Sequence, residues 1–228
     1  MNRAILHSGQ KLAAPRGAAI AGVIFSVLMI VGYGLVRYGI PADLQIPGTW
    51  LTEPNHRAAV RYALDMVPFA GIAFLWFIGV LRNRLGELED QLFATVFLGS
   101  GLLFVASLFS GAAVMEALVE SVAAGSVADE TYYFGRCISD ALMNIFAVKM
   151  AGVFMFTTCT IGLRTAIFPR WVAYIGYACG LLLLLVIANW RWITLVFPIW
   201  LLLVSALILV SEFRSRSAGA ALAEPSQV

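Results

Sequence analysis

An all-α, polytopic helical membrane protein is predicted by three observations. Of 228 residues, 61% are hydrophobic and only 12% are charged. Six apolar runs recur along the chain, each near the roughly 20 residues that cross a ~30 Å hydrocarbon core as a helix. Mean hydropathy is +0.88, so lipid is the solvent for most of the chain. Helices are required because backbone polar groups in hydrocarbon must be paired within the segment, and a barrel would show shorter alternating runs. The expected transmembrane helices are Gly17–Tyr38, Ala59–Leu81, Leu92–Met115, Ala141–Leu163, Trp171–Asn189 and Ile193–Phe213. They divide the chain into a basic N-terminal segment (1–16), a six-helix transmembrane domain (17–213) and an Ala- and Ser-rich tail (214–228) expected to be disordered.

The first run follows the basic stretch Met1–Arg16 and is too long for a signal-peptide core, so an uncleaved signal anchor is expected. The connection Gly39–His56 carries Pro41, Pro47, Gly48 and Pro54, which predicts an irregular, constrained loop able to act as a lid, with Trp50 against the interface. In the second run Pro68 removes a backbone donor and frees a carbonyl that could line a pathway. Ser126-Val127-Ala128-Asp129 has capping-box form, so the fourth helix is expected to begin near there and to be the longest. Gly176 and Gly180 form G-x-x-x-G in the fifth run, a helix-packing surface. Pro198 interrupts the sixth.

Lys and Arg counts orient the bundle. Nine residues (Arg3, Lys11, Arg16, Arg82, Arg84, Arg164, Arg170, Arg214 and Arg216) fall on one side; the loops on the other carry Arg57, Arg136 and Arg191. Both termini are therefore expected to be cytoplasmic. Trp50, Trp171, Trp190 and Trp192 fit interfacial belts, whereas Trp76 and Trp200 lie deeper and are expected to pack inside.

Polar chemistry inside the apolar runs is scarce, and Lys149 stands out. At 1.5 Å per residue it lies about 12 Å below the outer end of its run, and Asp65 lies about 9 Å below the same surface. An unpaired Lys near a helix centre costs roughly 2.5–3.5 kcal/mol on insertion scales. A facing carboxylate at equal depth is the natural partner, so an Asp65–Lys149 pair is expected. The competing arrangement pairs Asp65 with Arg61 one turn away and lets Lys149 snorkel outward. Asp140 and Asn144 stand at i, i+4, on roughly the opposite face of the fourth helix from Lys149 at 100° per residue. Asp65, Lys149, Asn144 and Arg61 together form the candidate intramembrane polar site, read as an ion pair or as a place that handles a solute or proton.

Other chemistries are disfavoured. The two histidines, His7 and His56, stand in the tail and at an outer edge, which argues against bis-histidine haem ligation and a His-based metal site. The Met residues of the fourth helix lack the spacing of soft-metal ligands. The three cysteines form no C-x-x-C, and G-x-S-x-G, H-E-x-x-H and Walker sequences do not occur. No metal, cofactor or nucleic-acid partner is expected; the bilayer is the environment, with a membrane-protein partner or a homo-oligomer on its helix faces.

The stretch Leu163-Arg164-Thr165-Ala166-Ile167-Phe168-Pro169-Arg170-Trp171 resembles the cytoplasmic loop of a broad family of uncharacterised bacterial six-span membrane proteins carrying a domain of unknown function. Val80-Leu81-Arg82-Asn83-Arg84 and its following acidic turn are similar in placement. The resemblance implies a bacterial inner-membrane location and six spans, and no activity. Three functions are left open: an accessory or scaffold subunit binding another membrane protein, a small-solute or ion carrier or channel using Asp65 and Lys149, and a membrane enzyme acting on a lipid-like substrate.

Overall fold

The computed structural model describes residues 3–40, 53–85, 91–125, 128–165, 169–185 and 192–222. Among these there are no strands. The helices are α1 (Arg3–Gly39), α2 (Pro54–Leu85), α3 (Gln91–Ala123), α4 (Asp129–Asp140), α5 (Ala147–Thr165), α6 (Arg170–Leu185) and α7 (Val196–Leu222). A π-helical stretch, Ala141–Phe146, joins α4 to α5, and a 3-10 turn, Ile193–Leu195, leads into α7. Five helical stretches are long and apolar enough to cross a membrane, namely Arg16–Gly39, Pro54–Arg82, Phe93–Ala123, Asp129–Arg164 and Ile193–Ser211. The fourth, at 36 residues, is the longest of these. The 16 residues of α6 fall short of a full crossing, because the expected run continues into 186–189, outside the described residues.

Several expectations are corrected. The tail, expected to be disordered from Arg214, continues α7 as helix to Leu222. Its alanines extend an existing helix, and elongation needs no new nucleus. Likewise α1 starts at Arg3 and takes in the basic segment. Pro198 does not interrupt a helix: it is the third residue of α7, in the first turn, where a backbone donor has no intrahelical acceptor to lose. Pro68 does lie inside α2, on the exposed side of that helix. Trp76 is 69% exposed, contrary to its expected packing role, whereas Trp200 is buried. The N-cap of α4 is Ala128 with no side-chain cap hydrogen bond, so the capping box expected of Ser126 and Asp129 is not the start of this helix; Pro54 and His56, expected in the first outer loop, open α2. The remaining loop residues Pro41, Pro47, Gly48 and Trp50, and Ser126, Val127, Trp190 and Arg191, lie outside the described residues.

The bundle closes around phenylalanine. Phe25 of α1, Phe74 of α2, Phe104 of α3, Phe154 of α5 and Phe197 of α7 meet at its centre. Phe74 has centroid separations of 4.8 Å to Phe25, 5.2 Å to Phe104, 5.0 Å to Phe154 and 5.6 Å to Phe197. Each of the five apolar stretches thus contributes one ring. Tilted and edge-on geometries such as these are the favourable ones for aromatic pairs. Lipid is as apolar as the interior, so the bundle gains from close packing and not from burial of apolar surface. Small residues supply the approach: Gly22 faces Ser205 across α1 and α7, and Gly101 faces Ile78 and Phe154. Arg61 of α2 forms an ion pair with Glu120 of α3, marking one end of the bundle, the upper end. At the lower end the Arg164 guanidinium lies 4.9 Å from the Phe93 ring centroid.

Candidate functional site

Polar groups in the apolar interior concentrate where α5 meets α6. The geometry starts with the π-helical stretch. Ser139, fully buried, donates from Oγ to the Gly111 carbonyl of α3 at 2.8 Å, and Gly111 admits Met143 and Leu142 where a side chain would collide. Each i→i+5 turn takes in an extra residue, so the positions that follow are rotated by about one residue step, ~100°, relative to an unbroken α-helix. Within the stretch Asn144 Nδ2 donates to Asp140 Oδ1 at 2.7 Å, which satisfies the Asp140 carboxylate locally.

Lys149 stands in the first turn of α5, half-buried. Its Nζ donates to the Leu184 carbonyl at 2.6 Å and to the Leu183 carbonyl at 3.1 Å. Both acceptors belong to the last described turn of α6. Hydrogen bonds from an ammonium to carbonyls are charge-assisted, and they tie α5 to α6 where an ionised side chain in hydrocarbon is costly.

Glycines make the reach possible. Gly152, one turn beyond Lys149, faces α6 so closely that a Cβ there would lie 3.0 Å from the Gly180 carbonyl oxygen and 3.3 Å from Leu183 Cβ. Gly180 in turn abuts the Phe156 ring, and Gly176 abuts Cys159 and Trp200. Thus Gly176 and Gly180 both lie at close helix contacts. Trp200 donates from Nε1 to the Val172 carbonyl at 3.4 Å, and Thr160 and Tyr177 share a hydrogen bond of 2.7 Å between α5 and α6. Sequence reasoning missed Gly152. The signal was its i+3 spacing from Lys149, which puts both on one helix face.

Neither expected partner of Asp65 is found with it. Lys149 spends its protons on α6, and Arg61 is taken by Glu120. Asp65 is exposed on α2 and makes no hydrogen bond or ion pair with the described residues. Equal depth was a sound inference, but it says nothing about direction. The Asp65 position lies on the outward face of α2 with Tyr62, Phe69, Ile72 and Trp76, while Lys149 meets α6.

Beside the Lys149 contact is a small cavity lined by Met29, Tyr33, Met143, Leu183, Thr194 and Phe197 among others, with room for about one water molecule. Tyr33 and Thr194 supply hydroxyl groups to its lining. Phe104 and Phe197, both in the central aromatic cluster, form part of its wall. Among the described residues no three His, Cys, Asp or Glu side chains come together to hold a metal ion. No protein-family model, curated protein or solved structure matches the chain.

Proposed function

We propose that this protein is an accessory or scaffold subunit that binds another membrane protein, with six spans and both termini in the cytoplasm of a bacterial inner membrane. The observation that carries the reading is the use made of the interior. The centre is filled by phenylalanine rings from five helices. The one ammonium in the apolar runs donates to backbone carbonyls of α6. The outer face of α2 leaves Asp65 and several large apolar side chains exposed, as a subunit working through its helix surfaces requires. The excess of basic residues on one side supports the orientation. Six spans and the bacterial inner membrane rest on the run Trp171–Asn189 and on the resemblance of the loop around Arg164 to the six-span family.

The Tyr33–Thr194 cavity favours a second reading, a carrier of a small solute. Native mass spectrometry of the chain extracted gently from its own membrane separates the two. A protein held at fixed stoichiometry is the expected result. The chain alone would overturn the subunit reading, and a small molecule lost from Lys149→Met would establish the carrier.

A further inference from the structure

The outward face of α2 carries two side chains in the wrong solvent. Arg61 and Arg82 are 21 residues apart, about 32 Å along a helix, which matches the ~30 Å hydrocarbon core. Asp65 is 17 residues above Arg82, about 26 Å, and so lies roughly 6 Å inside the upper boundary. Its side chain is exposed and without a partner among the described residues, and it is too short to snorkel as Lys and Arg do. Trp76 is 69% exposed about 9 Å above Arg82, inside the lower aromatic belt and well below the upper one.

Both residues lie on a single stripe. Tyr62, Asp65, Phe69, Ile72 and Trp76 follow one another at alternating spacings of three and four, and the four apolar members are each more than half exposed. Such spacing is that of a helix–helix seam. A lipid-facing carboxylate is costly, and a buried tryptophan is the commonest anchor of an interface. One covering helix would relieve both. A second copy of this chain related by a parallel two-fold would set Asp65 against Asp65, so the carboxylate selects a different, cationic occupant.

Resting on the subunit reading, we propose that this face of α2 docks a transmembrane helix of another protein that carries a Lys or Arg about one turn inside its upper end, paired with Asp65. Asp65 supplies the recognition, and the aromatic stripe below it supplies the packing.

The test uses the full chain in phosphatidylcholine vesicles and synthetic Leu/Ala helices of about 20 residues, with energy transfer reporting association. One helix has Lys one turn inside its upper end; a control has Leu there. The Lys helix should bind about tenfold more tightly than the control, and Asp65→Asn should remove that difference. Asp65→Lys should reverse it, favouring a helix with Glu at the same place. Equal binding of the Lys and Leu helices to the wild-type chain would overturn the proposal, as would Asp65-dependent self-association without any added helix. A native partner retained in full by Asp65→Asn would overturn this docking face while leaving the subunit reading intact. A wild-type chain that leaves its own membrane alone would overturn the subunit reading itself.

Discussion

Counting along the chain places Lys149 and Asp65 at similar depths, and the fold treats them in opposite ways. Lys149 is half-buried at the α5–α6 contact and holds two carbonyls. Asp65 is exposed on α2 and holds nothing among the described residues. The difference teaches what an intramembrane charge is for. A charge whose partner is backbone inside the same chain is structural, because removing it breaks a contact between two helices. A charge that faces outward contributes nothing to the isolated fold and gains value only from something outside it.

That contrast breaks first at Lys149. Replacing it with Met keeps the volume but removes the two charge-assisted hydrogen bonds to the Leu183 and Leu184 carbonyls, and we expect a loss of about 3 kcal/mol in unfolding free energy. Steric-trap unfolding in bicelles measures it; a loss under about 0.5 kcal/mol would show that α6 does not depend on this contact. Gly152→Ala comes next, at about 2 kcal/mol, since the Gly180 carbonyl is backbone and yields little to the new methyl group. If Gly152 serves to bring Lys149 within reach, the double variant should lose less than the two single losses together, and additive losses would separate the residues.

Smaller effects test the outward side. Breaking the half-exposed Arg61–Glu120 pair by Glu120→Gln should cost no more than about 1 kcal/mol. A larger loss would make this pair, and not the aromatic cluster, the clamp between α2 and α3. Asp65→Asn should leave the isolated chain within about 0.5 kcal/mol of wild type. Destabilisation comparable to that of Lys149→Met would mean that Asp65 has a structural partner, and the contrast between the two charges would collapse.

Much of this was legible in the residues. The apolar runs at Gly17, Ala59, Leu92, Ala141 and Ile193 all became helices long enough to cross a membrane, because a run of about 20 apolar residues has few other stable states in lipid. Gly176 and Gly180 were recognisable as packing positions. The Asp140–Asn144 contact follows from a four-residue spacing alone. Other features stayed hidden for physical reasons. The π-helical stretch before Lys149 shifts the faces that a count at 100° per residue assigns. Nothing in the α6 residues gave warning that the Leu183 and Leu184 carbonyls would take a donor from another helix. Trp76 reads as a packing residue because depth can be counted along a chain, whereas facing cannot.

By itself, then, the sequence determined the all-α architecture, the apolar stretches and the identity of the two costly charges, since these depend on composition and on spacing within one helix. Only the tertiary structure decided that Lys149 would reach the Leu183 and Leu184 carbonyls of α6 and that Asp65 would look outward. A charge in hydrocarbon must find a partner, but which one it finds depends on how helices far apart in the chain rotate and cross.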